Sequence, residues 1–335
     1  MNVFRIIAVL AVLISSACVN QPAMQQASLQ PRKSVAHHAN YDASPVYSSG
    51  IGDLVLRKQV FDSELVITGE QRFAGSISSI RFRGKEYIDV ADNGRQLQSA
   101  VSYDDLGECD NPTEAGTRED RGRKTSSVLK SGVVRGSTLS TVTQMAYWAP
   151  PNTRYSKPKA TRTQGKDYCG ARPDALYTRN KTVLSRDVLT KQVTIGVAGM
   201  PNVIDYKVQF QVPEAHKTAA FEALSAHLPR EFSRVDLVDL ARGRLMPAVE
   251  GAPRDKPVII STPNGQHALG VYSPMLPKPG YTYGWFLLPQ VSKWNCTFRE
   301  RDIRPGNYNY EAMVVIGTRD EVFEAIVALP GRLGR

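Results

Sequence analysis

Four cysteines and five histidines in 335 residues leave this chain poor in metal-binding and nucleophilic side chains. No Cys-x-x-Cys and no His-x-x-x-His occurs, so the ligand spacings of zinc sites are missing. Nor is there a Gly-x-Ser-x-Gly, a P-loop or a dinucleotide fingerprint. These absences count against enzymes built on an activated serine, a bound nucleotide or zinc, and no cofactor or metal is implied. They leave sugar chemistry open, because it depends on carboxylates and platforms that form no compact motif. Beyond the N-terminus no hydrophobic stretch is long enough to span a bilayer, and there is no internal repeat.

What is present begins at the N-terminus. Arg5 gives a short basic region, residues 6–14 are apolar, and Ser15-Ser16-Ala17 precedes Cys18. The apolar run is too short to span a membrane and reads as a secretory signal with a small-residue cleavage site. A cysteine directly after the small residues makes it similar to a bacterial lipoprotein signal, although Ser15 stands where Leu is usual. The expectation is removal of residues 1–17, diacylation of Cys18, and a mature protein anchored in the cell envelope by lipid. Val19, rather than Asp, favours the outer membrane. Residues 18–50 are rich in Gln, Ser, Ala, Asn and Pro without an apolar period, and read as a flexible tether. His37-His38 within it reads as solvated filler.

The net charge of +10 is uneven: between Ala115 and Lys181 there are fourteen Lys and Arg against four Asp and Glu. That surplus equals the whole formal excess. Basic stretches serve nucleic acid, anionic headgroups or acidic polysaccharide, and export to the envelope removes nucleic acid from the set. With Cys18 lipidated, Cys109, Cys169 and Cys296 remain, and an oxidising compartment predicts one pair and one odd thiol. Cys109 is expected in the pair, with either Cys169 or Cys296.

The body, 51–335, reads as one mainly β domain, a large β-sandwich or supersandwich with two short helices. β-prone runs occur at 54–56, 64–68 and 76–82, and Arg83-Gly84-Lys85 makes a turn. Residues 133–145 predict a hairpin with Arg135-Gly136-Ser137 at its tip. In 204–212, Tyr206, Val208, Phe210 and Val212 alternate with Lys207, Gln209 and Gln211, which predicts one buried and one wet face. One helix is expected at 216–228, where Phe221, Leu224 and Leu228 recur at helical spacing. The other is expected at 319–329, opened by a Thr318/Glu321 capping box. A long basic loop at about 149–181 carries prolines and the aromatics Tyr147, Trp148, Tyr155 and Tyr168 in and beside it, and a loop of that length is usually functional.

Three blocks carry candidate site residues. The first joins Gly94-Arg95-Gln96-Leu97-Gln98 to Asn111-Pro112-Thr113-Glu114-Ala115-Gly116, polar turns of the kind that line sites. The second is 267–274, with His267 at a sheet rim. In the third, Lys293, Asn295, Thr297 and Arg299 share one face of a strand, opposite Trp294, Cys296 and Phe298. Glu114 and His267 are the acid/base candidates. His216 and His227 are set aside because they fall in the expected helix. Arg95, Gln98, Asn111, Lys293 and Arg299 are the candidate substrate contacts, with Trp148 and Trp294 as stacking platforms.

The order of the 94–98 and 111–116 blocks, followed by 265–274 and Trp294-Asn295-Cys296, resembles a family of secreted bacterial proteins. More loosely, over about 51–329, it resembles the galactose-mutarotase-like β-supersandwich, the fold shared by sugar epimerases and by domains of polysaccharide lyases. In mutarotases two histidines and a late glutamate do the chemistry. Here only His267 stands comparably, so the resemblance implies the fold rather than that activity. Two functions are expected. One is an envelope lipoprotein that binds, and as a lyase, hydrolase or epimerase would cleave or remodel, an anionic glycan. The other is a non-catalytic lipoprotein docking to cell wall, lipopolysaccharide or a partner protein.

Overall fold

The computed structural model describes residues 51–120, 124–155, 169–170, 172, 175–249, 252 and 254–334. The signal segment, Cys18, the tether, and residues 156–168 of the basic loop lie outside the described residues. Four strands form a small antiparallel sheet in the order β1 (Leu54–Val60), β2 (Ser63–Gly69), β3 (Ile77–Phe82) and β4 (Lys85–Glu86). The remaining strands are β5 (Gln98–Tyr103), β6 (Pro112–Thr113), β7 (Val128–Arg135), β8 (Thr138–Tyr147), β9 (Leu184–Val197) and β10 (Met200–Val212). They continue with β11 (His216–Pro229), β12 (Arg234–Asp239), β13 (Arg244–Pro247), β14 (Val258–Ser261), β15 (Ala268–Tyr272), β16 (Tyr281–Leu287), β17 (Val291–Ile303) and β18 (Gly306–Gly317). These fourteen make one antiparallel sheet ordered β13-β12-β14-β15-β18-β10-β9-β8-β6-β5-β11-β17-β16, with β7 added on β8.

A sheet this wide must twist and curl to bury a common face. Here it closes until β16 and β17 lie over β15. The Trp294 indole N–H donates to the Leu269 carbonyl at 3.2 Å, and the Ser273 amide donates to Tyr283 Oη at 2.7 Å. Leu56, Leu65, Ile67, Ile80 and Phe82 of the small sheet share one buried cluster with Val101, Leu139, Phe210, Phe221, Trp294 and Phe298. The result is the expected mainly β, sandwich-like body. The 204–212 alternation holds: Tyr206, Val208, Phe210 and Val212 are buried, while Lys207, Gln209 and Gln211 are not.

Among the described residues one α-helix, α1 (Arg319–Arg332), is present, and it begins with the expected capping box between Thr318 and Glu321. Val322, Ile326 and Leu329 bury its apolar stripe on the sheet. Gly270 permits that approach, because a Cβ there would lie 2.6 Å from Val322 Cγ1 and 2.7 Å from Ile326 Cδ1. The second expected helix is corrected: 216–228 lies within β11. The register between β11 and β17 shifts between Glu222 and Leu224, so that Ala223 is the extra residue of a β-bulge. Ala223 and Leu224 both face inward, at 1% and 0% exposure. Inserting one residue into period two spaces Phe221 and Leu224 by three, and Leu228 follows at seven, which imitates a helical stripe.

The core also holds an ion pair. Thr113 of β6 pairs with Ala100 on the outer face, so Glu114 turns inward. Lys191 sits on the inward phase of β9. Both are 0% exposed and joined directly; Lys191 Nζ also donates to the Gly75 carbonyl at 2.8 Å, and the Ser99 amide donates to Glu114 Oε2 at 3.1 Å. Burial pushes the Glu114 carboxyl up and the Lys191 ammonium down, and each charge partly restores the other. Removing one partner strands the other in the core. Lys191→Met or Glu114→Gln is therefore expected to lower unfolding free energy by roughly 3–5 kcal/mol, and the paired Lys191→Met/Glu114→Leu change to recover most of it. Denaturant unfolding measures this, and equal losses for single and double variants would contradict it.

Candidate functional site

The bulge in β11 has a second consequence, on the outer face of the sheet. Past it, Ser225 and His227 point outward in phase with Glu222, while Leu224, Ala226 and Leu228 are buried. Across the β11–β17 ladder, Glu222 faces Thr297, Ser225 faces Asn295 and His227 faces Lys293. The rows extend in both directions. Ala100 stands beside Glu222 and Gln98 beside Ser225 on β5, while Thr282, Gly284 and Phe286 stand beside Thr297, Asn295 and Lys293 on β16. A polar trough thus crosses four strands. Its middle row is deep, with Gln98, Ser225 and Asn295 each 4–7% exposed. Gly284 supplies the depth, since a Cβ there would meet Asn295 Oδ1 at 2.2 Å.

The segment 89–98 bounds the trough beside β5. The Asp89 amide donates to the His227 carbonyl at 2.8 Å. Arg95 is held by Asp92 at 3.2 Å, Asp89 at 3.7 Å and the Gln290 side chain at 2.9 Å. Lys293 Nζ lies 3.3 Å from Glu222 Oε2 and 6.0 Å from the Phe286 ring centre. Arg254 lies over both Trp285 and Phe286, at 4.7 and 5.9 Å.

Two ionisable groups in the trough are strongly tuned. Burial opposes the Glu222 carboxylate, but the Lys293 ammonium and hydrogen bonds from Ser225 and Asn295 outweigh it and hold the group down to about 2. Burial and the adjacent Lys293 push His227 down to about 3. His227 Nδ1 lies 3.2 Å from the Gln96 carbonyl, which can only accept. The proton therefore sits on Nδ1, and Nε2 is left as an acceptor.

Of the nine contact and acid/base candidates read from the sequence, Lys293 lies in the trough, Arg95 on its margin and Arg299 at its end, while Gln98, in the middle row, donates to the Asn93 carbonyl at 3.3 Å and accepts from the Ala115 amide at 3.1 Å. Arg299 Nη1 donates to Thr282 Oγ1 at 3.0 Å. Lys293, Asn295, Thr297 and Arg299 do share a face, with Trp294, Cys296 and Phe298 buried behind them. Trp148 packs on Gly94, where a Cβ would come within 2.6 Å of its ring. Asn111 is a tie, donating to the Val101 carbonyl at 2.7 Å and accepting from the Trp148 amide at 2.8 Å.

Three candidates are corrected. Glu114 is a core residue bound to Lys191 and reaches no cleft. Trp294, 0% exposed, cannot serve as a stacking platform. His267 sits apart from the trough, with Nδ1 3.2 Å from Tyr87 Oη and Lys85, Glu231 and Arg83 as its charged neighbours. The sequence reading missed Glu222, Ser225 and His227, because the bulge disguised their strand. Cys109 is bonded to Cys169, and Cys296 is a buried free thiol. Among the described residues no group of three His, Cys, Asp or Glu is placed to hold a metal, and no helix is long and apolar enough to cross a membrane.

No protein-family model matches the chain, and no curated sequence is significantly similar. Among solved structures, heparan sulfate lyase from Pedobacter heparinus is similar at 7% identity and a TM-score of 0.40 over 81% of this chain and 36% of the lyase. A galactose mutarotase related enzyme from Lactobacillus acidophilus is similar at 9% identity and a TM-score of 0.40 over 81% and 99%. The α-galactosidase from Lactobacillus brevis gives 9% identity and a TM-score of 0.41 over 80% and 40%. The chain thus spans about two fifths or less of the lyase and the galactosidase. Likeness at this level assigns no activity.

His227 gives the trough a pH signature. Its folded value, about 3, lies below the ordinary 6.5, so the unfolded chain binds a proton that the folded ring refuses. Stability is expected to be full above about 6.5 and to fall as pH drops toward 3. His227→Gln should flatten that slope in denaturant titrations; an unchanged slope would contradict the assigned burial.

Proposed function

We propose that the protein is a lipid-anchored envelope protein that binds an anionic glycan, with the trough contacting the sugar units. The observation that carries this is the four-strand lattice of Gln98, Ser225 and Asn295 over Gly284, flanked by Glu222 with Thr297 and by His227 with Lys293. Sugar rings present alternating hydroxyl donors and acceptors and apolar C–H faces. The trough offers the Asn295 amide, hydroxyls, a carboxylate, a neutral imidazole acceptor and the half-buried Phe286 ring. In it Lys293 is matched by Glu222, and on its margin Arg95 by Asp89 and Asp92, which suits hydroxyl recognition. The acidic character of the polymer is met by the basic excess between Ala115 and Lys181.

Binding is favoured over acid–base catalysis because general acids and bases work best with values near the operating pH. Glu222 at about 2 and His227 at about 3 are far from it. Docking to cell wall, lipopolysaccharide or a partner protein is the alternative use of the same face. A glycan array containing acidic polysaccharides separates the two. An acidic glycan should be retained, with affinity falling steeply as salt rises. Asn295→Ala should weaken binding about tenfold at every salt concentration, the loss of one or two buried hydrogen bonds. Retention of no glycan, or wild-type affinity in Asn295→Ala, would sink the reading. The anchor is tested by mass spectrometry of the mature N-terminal peptide: a diacylglyceryl group on Cys18 is expected, and an unmodified Cys18 removes the lipid tether.

A further inference from the structure

At Phe286 the trough reaches the edge of the large sheet, where β16 is the last strand. The chain at Ala252 and Arg254 is tied to this edge. The Tyr283 amide donates to the Arg254 carbonyl at 2.7 Å, and Ala252 packs against the main core cluster. The Arg254 guanidinium lies over Trp285 at 4.7 Å and Phe286 at 5.9 Å. Phe286 Cε2 comes within 3.4 Å of the place a Cβ on Gly284 would take, so its ring leans over the floor of the middle row. The same ring has Lys293 Nζ 6.0 Å from its centre.

The cations around the trough differ in what holds them. Lys293 answers Glu222, and Arg95 answers Asp92 and Asp89. Arg299 gives one N–H to Thr282 Oγ1 at the far end. Arg254 is exposed, and among the described residues its side chain has no acidic partner and no hydrogen-bond acceptor. Asp255, its neighbour in the chain, makes no ion pair with it. Aromatic rings hold a guanidinium in place without neutralising its charge. Arg254 therefore stands fixed beside the trough with its positive charge and its N–H fork unspent.

We propose that Arg254 reads the acidic group of the bound glycan, gripping a carboxylate or sulfate ester on a sugar seated against Phe286. This rests on the trough as the glycan site and adds to it the residue that selects an acidic unit. The basic excess between Ala115 and Lys181 attracts a polyanion at long range, and such attraction is indifferent to where a sugar carries its charge. A guanidinium fork is not, because two parallel N–H···O bonds fix the oxyanion's position and direction. Holding the fork on Trp285 and Phe286 before binding lowers the ordering cost of the contact. The oxyanion arrives ionised, and no proton moves.

Calorimetry on the full chain tests this with two matched pairs, polygalacturonate against its carboxyl-reduced product and dextran sulfate against dextran. The salt is held at about 0.15 M, where long-range attraction is screened. At least one acidic polymer should bind about tenfold more tightly than its neutral counterpart, the worth of one charge-assisted contact. A preference in the first pair identifies a carboxylate as the group read, and in the second a sulfate ester. Arg254→Gln should cut that preference to about twofold by weakening the acidic member alone. Arg332→Gln, which loses the same charge from the exposed end of α1, should keep it. Arg254→Lys retains the charge without the fork and should restore the preference only to about threefold. The inference is overturned if neither acidic polymer is preferred, if Arg254→Gln keeps the full preference, if Arg332→Gln erases it, or if Arg254→Lys restores it fully. Asn295→Ala tells this failure from that of the trough. Weakening of both members of a pair leaves the trough standing whatever Arg254→Gln does, and wild-type affinity removes the two together.

Discussion

The extra residue in β11 governs both faces of the large sheet. With strict alternation from Phe221, residues 223, 225 and 227 would all point inward. Ser225 and His227 would then enter the core, and Leu224, Ala226 and Leu228 would face water. Placing Ala223 and Leu224 both inside resets the phase. The core keeps its aliphatic layer, and Glu222, Ser225 and His227 line up with Thr297, Asn295 and Lys293. One bulge thus satisfies packing and creates the polar trough at once, the usual reason for a strand to carry one beside a site.

Two environments set the most strongly tuned of these polar groups apart. Glu114 and Lys191 are sealed in the core and hold strands together. Lys293 and hydrogen bonds, against burial, hold Glu222 far from neutrality, and burial with Lys293 does the same for His227, so the trough presents a constant set of donors and acceptors over ordinary pH. A fixed surface suits recognition of hydroxyls.

Much of the fold was legible in the sequence. The alternation over 204–212, the hairpin tip at Gly136 and the capping box at Thr318 each have a local cause, and each predicted its element. So did the shared face of Lys293, Asn295, Thr297 and Arg299, which needs only period two. What failed needed long-range information. A bulge is set by the partner strand, and it turned Phe221, Leu224 and Leu228 into an apparent helix that hid His227. Glu114 read as a loop acid because its partner, Lys191, is far along the chain. Polar composition alone could not tell a site acid from one half of a buried pair.

The central claim is that the outer face of β5, β11, β17 and β16 is where glycan meets protein. Hydrogen–deuterium exchange, with and without an acidic oligosaccharide retained on the array, tests it most directly. The expected result is slowed exchange in 89–98 and along β16 and β17, with β13 and α1 unchanged. Protection confined to other surfaces, with these segments unaffected, would contradict it.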